Sequence, residues 1–524
     1  MRCLAGWQVE GLLGYGTFVL DRGAIRQAGP GNRQSPRMKT LTGWRAAGLA
    51  FGLGALMALG QAPLGGWFVT LPALAVFLVL VAGQGGVRRS AFVGWFGGAG
   101  YFALSLGWIV EPFLIDVARY GWMAPFALIL MAFGMAMFWA AAGALAGWSR
   151  GPLAAMVVGL GVVELGRGYV LTGFPWALIG HVWIDTPVVQ VAALIGPSGL
   201  TLITLGMAAG LTRVRWIPVS VVALAAVWAF GVWQLAQPGP PARDVTLRLV
   251  QPNAAQGVKW DEGMAQVWFD RLMAATAADP PVDLVIWPET ALPYLLEFNP
   301  ELPAMIAAAG RGAQVAFGVQ RVDGEAAYNS MVVLTAGGAV TARYDKHHLV
   351  PFGEFLPLGD LLFDWFGLRA FAAKAGQGYT AGPGPVVLDL GPDLGKVLPL
   401  ICYEAVFPQG LRGAGRADWL LQITNDAWFG DWTGPFQHLA QARLRAIEQG
   451  LPLIRVANTG VTAGFDARGR LVADLPFQTD GFVDVALPGA LPPSIYAIWG
   501  EGPVLLILAG LALVLIRRRG RVAA

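Results

Sequence analysis

Cysteine is almost absent: Cys3 and Cys402 are the only two in 524 residues. That excludes a disulfide framework, and no zinc ligand set is visible. Histidine is nearly as scarce, with His181, His347, His348 and His438. His347 and His348 are adjacent on an extended segment, so they point to opposite sides and do not converge on a metal. We expect no metal and no cofactor. Charge is depleted as well: 13% of residues are charged, against about 25% in ordinary soluble domains. With 56% hydrophobic residues, the chain is a membrane protein over at least part of its length. A net charge of +3, with no basic run outside the C-terminus, speaks against a nucleic-acid partner.

Long apolar runs are abundant. A hydrocarbon core of about 30 Å needs roughly 20 apolar residues of helix. Seven such runs precede residue 240, near 42–60, 66–84, 91–110, 121–148, 152–173, 187–212 and 216–236, and an eighth, about 502–516, ends in Arg517-Arg518-Arg519. The expected fold is therefore a polytopic α-helical membrane domain of eight transmembrane helices, joined to a second domain of different texture. The string Gly52–Gly60 (GLGALMALG) superficially resembles a nucleotide loop. It follows no strand and lies within an apolar run, so it reads as close helix packing. Glu164 and Arg167 read as residues near a span end rather than part of a transport path.

With eight spans, Lys39, Arg45, Arg88, Arg89, Arg150, Arg213, Arg215 and the C-terminal arginines all fall on one side, which is then cytoplasmic. The opposite loops carry Glu111, Asp116 and Asp185, with Arg119 among few basics. Both termini are thus expected inside, and the large segment before the last span outside, in the periplasm of a two-membrane cell. The expected division is 38–240 for seven helices, 243–487 for the outer domain, and 488–524 for the last helix and a basic tail. Residues 1–37 lack a sustained apolar period, whereas Met38 is followed by Lys39 and an apolar run. We expect translation to start at Met38, with 1–37 an untranslated or disordered leader. His181, in an outward loop with Phe174 and Trp176, is expected as an interfacial anchor. His438, opening a helix, is expected as a surface or capping residue.

Between 243 and 487 charges return and apolar runs shorten. Strand-like runs are Val245–Val250, Leu284–Trp287, Val315–Val319, Val386–Leu390, Val397–Ile401, Trp419–Thr424 and Leu453–Ala457. Hairpin turns are expected at Gly337-Gly338 and near Arg468-Gly469. Helical runs Glu262–Ala278, Pro303–Ala309 and His438–Gln449 lie between strands, which argues for an α/β domain.

The strand Val397–Ile401 ends abruptly in Cys402-Tyr403-Glu404. A lone thiol there is either a small packed hydrophobe or a nucleophile. Two other strands end in the same way. Leu284–Trp287 runs into Pro288-Glu289-Thr290, and Val340–Tyr344 into Asp345-Lys346-His347-His348. α/β sheets gather catalytic groups in the crevice beyond strand ends. Singly, Glu289 reads as a turn residue and Lys346 as a solvated one. Together, a carboxylate can take the thiol proton, and an ammonium can stabilise the thiolate and then an oxyanion.

The strings WPET (287–290), YDKHHLVPFGEFLP (344–357) and ICYEAVFP (401–408) resemble the nitrilase superfamily, and within it the bacterial apolipoprotein N-acyltransferases. The resemblance runs from about residue 40 to the end. It implies a nitrilase-like α-β-β-α sandwich for 243–487. It also implies Glu289 as general base, Lys346 as oxyanion stabiliser and Cys402 as acyl-accepting nucleophile. Glu354 resembles the second glutamate of the family site and is expected to pair with Lys346. Tyr403 and Glu404 resemble pocket-shaping residues, Trp260 an aromatic on a mobile arm, and Asn329 and Asn425 structural positions near the site. The implied activity moves a fatty acyl chain from a phospholipid, phosphatidylethanolamine foremost, through a Cys thioester. The acceptor is the α-amine of the S-diacylglyceryl cysteine of an apolipoprotein, at the inner membrane. A membrane-anchored amidase acting on a small C–N compound shares the same trio.

Overall fold

The computed structural model describes residues 41–357 and 378–520. The leader 1–37 and the proposed start at Met38 lie outside the described residues.

Helices occupy each of the eight apolar runs: Gly43–Ala58, Trp67–Ala82, Val87–Ser105, Ala124–Trp148, Pro152–Gly166, Ala192–Leu211, Ile217–Ala236 and Gly502–Gly520. Their lengths differ. Among the described residues, three helical stretches are long and apolar enough to cross a membrane: Val117–Trp148, Pro187–Leu211 and Val214–Ala236. The bent pair Val87–Ser105 and Gly107–Leu114 makes a fourth if it counts as one span. Trp67–Ala82, Pro152–Gly166 and Gly502–Arg517 are shorter apolar helices. Sixteen residues at 1.5 Å rise cover about 24 Å, less than a full hydrocarbon core. The Gly-rich string packs as expected: a Cβ on Gly54 would lie 2.0 Å from the Gly97 carbonyl, so the two helices touch backbone to backbone.

The remaining domain is built on two six-stranded sheets. In the first are β1 (Thr246–Gln251), β2 (Leu284–Ile286), β3 (Gln314–Asp323), β4 (Ala326–Leu334) and β5 (Val340–Asp345). The second holds β6 (Leu388–Asp389), β7 (Lys396–Ile401), β8 (Trp419–Thr424), β9 (Leu453–Ala457), β10 (Thr462–Phe465) and β11 (Leu471–Leu475). The last strand, β12 (Gly481–Ala486), returns to pair antiparallel with β1 and completes the first sheet. β1–β3 are parallel neighbours, as are β7–β9. Both expected hairpins form, β4–β5 and β10–β11. The strand-like runs omit β4, β10, β11 and β12: Asn329 and Ser330 interrupt β4, β10 is only four residues with Thr462 and Gly464, and β11 and β12 carry exposed positions.

Side chains alternate across each strand, and that alternation builds the layers. Leu247, Leu249, Ile286 and Met331 of the first sheet meet Ile401, Leu421, Ile423 and Val456 of the second in one buried core. The outer face of the first sheet, with Val250, Val285 and Phe317, packs against Phe269 and Leu272 of helix Glu262–Thr276 and Ile306 of helix Leu302–Gly310. The outer face of the second, with Leu398, Leu400 and Leu420, packs against Ala442 and Ala446 of helix Gly434–Gln449. The result is an α-β-β-α sandwich.

Candidate active site

Cys402 follows β7 directly and turns the chain sharply, with φ +52°. A non-glycine residue in the left-handed region is uncommon and is held only by its surroundings. The residue is 6% exposed. Burial, then the Glu289 carboxylate, push its thiol above the usual range while Lys346 opposes them, so the resting group is the thiol.

Glu289 sits three residues past β2 and is buried. Its Oε1 accepts from Asn329 Nδ2 at 2.7 Å and its Oε2 from the Asn425 backbone N–H at 2.8 Å. Gly318 of β3 lets this turn approach: a Cβ there would lie 2.5 Å from Thr290 N. Burial raises the Glu289 carboxyl, with Glu354 adding and Lys346 opposing. Lys346, one residue past β5, is 1% exposed. Its Nζ lies 2.9 Å from Glu354 Oε1 and 3.7 Å from Glu289 Oε1. Burial acts against its charge, yet Glu354 and Glu289 outweigh burial and raise it, so it stays an ammonium. Asn329 Nδ2 also reaches Glu354 Oε1 at 3.1 Å and so ties the two glutamates together.

The structure thus brings Glu289, Lys346, Glu354, Asn329, Asn425 and Cys402 into one buried cluster. Glu404 lies behind it. Its Oε1 accepts from the backbone N–H groups of His347 at 2.9 Å and His348 at 3.1 Å, and from Tyr344 Oη at 2.8 Å. Its Oε2 accepts from Ile401 N–H at 2.8 Å. Glu404 therefore ties the turn bearing Cys402 to the loop bearing Lys346, rather than lining a pocket. Tyr403, Val406 and Phe407 enter the core of the membrane helices, in one cluster with Trp139, Leu160 and Trp176. Trp260 is half-buried beside a narrow cleft with Trp268, and Lys259 Nζ lies 5.2 Å from its ring.

Two histidine expectations are corrected. His438 is fully buried rather than superficial. The helix it was expected to open starts four residues earlier, at Gly434, and His438 lies on its sheet-facing side. His181 is 5% exposed, inside the short turn Ile179–Trp183, so it is not displayed as an anchor. Glu164 and Arg167 form a buried 3.0 Å ion pair, and Arg167 donates to the Phe174, Trp176 and Ala177 carbonyls. The pair holds the 174–177 loop.

Sequence reasoning missed a buried polar set under Cys402: Gln422, Asp426, His438 and Arg455. An arginine inside the apolar strand Leu453–Ala457 was its one visible sign, since a buried charge needs a partner. Lys259 was missed too. It is 4% exposed, donates to Thr290 Oγ1 at 3.1 Å, and burial lowers its pKa to about 8.

Residues 246–491 match the carbon-nitrogen hydrolase family, and residues 53–210 match the apolipoprotein N-acyltransferase N-terminal domain. Among solved structures, an amidase from Nesterenkonia sp. aligns with TM-score 0.35 and 19% identity, covering 48% of this chain and 94% of that one. A CN-hydrolase superfamily protein from Xanthomonas campestris aligns with TM-score 0.34 and 20% identity, covering 46% and 90%. Much longer matches come from proteins named apolipoprotein N-acyltransferase. That of Rhodopseudomonas palustris is 38% identical over 91% of this chain and 96% of its own length. That of Brucella melitensis is 37% identical over 93% and 99%. With both halves matched and the relatives covered almost end to end, the chain belongs to the apolipoprotein N-acyltransferase family.

Proposed function

We propose that this protein completes lipoprotein maturation, by moving a fatty acyl chain from a phospholipid to the α-amine of an S-diacylglyceryl cysteine. The observation that carries this reading is the seating of the nucleophile turn. Tyr403, Val406 and Phe407, directly after Cys402, pack into the core of the apolar helices, so the reacting thiol lies where a lipid-borne ester can reach it. A lipid substrate would otherwise have to leave the bilayer, at about 0.8 kcal/mol per CH₂.

In this reading Glu289 removes the Cys402 proton as Sγ attacks the ester carbonyl carbon. The oxyanion forms near Lys346, whose charge Glu354 secures. Collapse breaks the C–O bond, and the lysophospholipid oxygen takes the proton from Glu289. The acceptor amine then attacks the thioester, Glu289 receives the amine proton, and the proton returns to Sγ as the C–S bond breaks. Trp260 serves as a cover that excludes water from the thioester. Seven helices in 38–240, the domain 243–487 on the periplasmic side, and a last helix with basic tail in 488–524 place both termini in the cytoplasm and the site at the outer leaflet. Phosphatidylethanolamine is the proposed donor.

The test is intact mass after incubation with phosphatidylethanolamine and no acceptor. Wild type is expected to gain a fatty-acyl mass that hydroxylamine removes and a diacylglyceryl-cysteine peptide discharges. Cys402→Ser is expected to show no hydroxylamine-sensitive adduct. If wild type gained nothing from the lipid but was acylated by a short amide, an anchored amidase would replace this reading.

A further inference from the structure

The polar set beneath Cys402 is joined by hydrogen bonds that start from one fixed donor. Arg455 can only donate. Its Nη1 donates to Gln422 Oε1 at 2.7 Å, and its Nη2 donates to Asp426 Oδ2. The first bond fixes the Gln422 amide, so Gln422 Nε2 is the donor side. That nitrogen donates to the Cys402 carbonyl at 3.1 Å and lies 3.1 Å from His438 Nε2, which is itself 3.0 Å from the same carbonyl. Asp426 is ionised: burial opposes its charge, but Arg455 and His438 hold its carboxyl near about 2. The His438 nitrogen facing it, Nδ1 at 2.9 Å, therefore carries the ring proton. Burial and Arg455 act against a charge on the ring, while Asp426 and the Cys402 carbonyl favour it. With Nε2 bare, Gln422 is the side chain that donates to the Cys402 carbonyl.

We propose that Gln422 is a positioning residue for the acyl transfer, acting through the main chain of the nucleophile, with Arg455, Asp426 and His438 holding it in its donating orientation. The Cys402 carbonyl and the Tyr403 N–H belong to one planar, trans peptide unit and point in opposite directions. Anchoring the carbonyl thus fixes the direction of that N–H. The Tyr403 N–H lies in the first turn of the 3-10 segment Cys402–Val406, where it has no partner within the segment and is available to an oxyanion. The same bond restrains the left-handed Cys402. The membrane half braces the ring. Trp176 stacks on His438 at 5.6 Å, and its Nε1 donates to Gln437 Oε1 at 2.7 Å.

The inference rests on the acyl-enzyme reading, and the test separates the two. Gln422→Met keeps the length and removes the donor. Thioester formation from phosphatidylethanolamine in a single turnover is expected to fall about a hundredfold, the scale of a misplaced reacting group. Alkylation of Cys402 by iodoacetamide, a displacement with no oxyanion, is expected to stay within about threefold of wild type. A wild-type thioester rate in the variant overturns the proposal, as does an equal loss in both reactions. No thioester in the wild type sinks the functional reading instead. Should the variant not fold, ¹⁵N spectra of wild type with labelled histidine decide, because only four histidines contribute. The proposal requires His438 Nε2 bare; a proton there would make His438 a donor to the Cys402 carbonyl and overturns it.

Discussion

Replacing Glu404 by Gln changes one heavy atom and weakens what joins the Cys402 turn to the Lys346 loop. The carboxylate accepts at both oxygens: the Tyr344 hydroxyl, the His347 and His348 N–H groups and His347 Nδ1 all lie within 3.1 Å of Oε1, and Ile401 N–H approaches Oε2. A Gln amide has one accepting atom. In either orientation its NH₂ faces a backbone N–H that has no alternative partner, and the charge that strengthened the other bonds is gone. Leaving a buried donor unpaired costs about 1–3 kcal/mol. Losing the charge on the remaining bonds brings the total to about 3–5 kcal/mol. For a domain of this size that is a fall in Tm of roughly 10 °C. Thioester formation should drop with it, by about a hundredfold, because Lys346 no longer has a fixed distance from Cys402. The pH dependence adds a check. Burial raises the Glu404 carboxyl, but its bonds to His347 and Ile401 outweigh burial and lower it. Its contribution is therefore present above the unfolded carboxyl pKa and lost as pH falls through the lower folded value. Wild type should lose this increment on acidification and Glu404→Gln should not. Melting curves from pH 3 to 7 with single-turnover acylation form the assay. An unchanged Tm together with an unchanged rate would refute the clamp.

Lys346→Met leaves Glu289 and Glu354 without their shared ammonium, and acylation measured by intact mass should fall by about a thousandfold or more. Because burial raises the Glu289 carboxyl, the acid limb of the acylation rate should lie above the ordinary carboxylate pKa of about 4.3; Glu289→Gln should abolish the limb and lower the plateau about 10²–10⁴-fold. A limb at the ordinary value would count against Glu289 as the base. Lys259 carries a buried charge that weakens folding, since its pKa falls from 10.5 to about 8. The penalty, about 3 kcal/mol at most, is complete below pH 8 and disappears between pH 8 and 10 as the folded group loses its proton first. Lys259→Met should therefore raise Tm at pH 7, with the gain shrinking toward pH 10. A gain that did not vary with pH would assign it to packing instead.

The proposed trio was legible because its members share a local grammar. Glu289 and Cys402 stand just past apolar strands and Lys346 just past a hairpin arm, a placement visible without any contact map. Strands Trp419–Thr424 and Leu453–Ala457 were legible for a similar reason, since burial on both faces leaves runs that are apolar but for Gln422, Thr424 and Arg455. Strands β11 and β12 carry no apolar run because about half of their positions face solvent, and the partner of β12, β1, is remote in sequence. Glu404 could be named from its string but not understood, since its donors come from residues 56–60 positions away. His438 was misread on the same ground: a histidine in an amphipathic helix looks superficial until the second sheet is laid against it.

The sequence by itself determined the membrane character, the α/β texture of residues 243–487 and the carboxylate, ammonium and thiol that stand at strand ends. These follow from composition and from residues within a few positions of one another. Tertiary structure alone decided which carboxylates meet Lys346, how Glu404 ties two loops together, and that a ring of Arg455, Asp426, His438 and Gln422 closes under the Cys402 carbonyl. Those arrangements depend on bonds between strands far apart in the chain. They are set where burial makes an unpaired polar group too costly to leave, which no local pattern records.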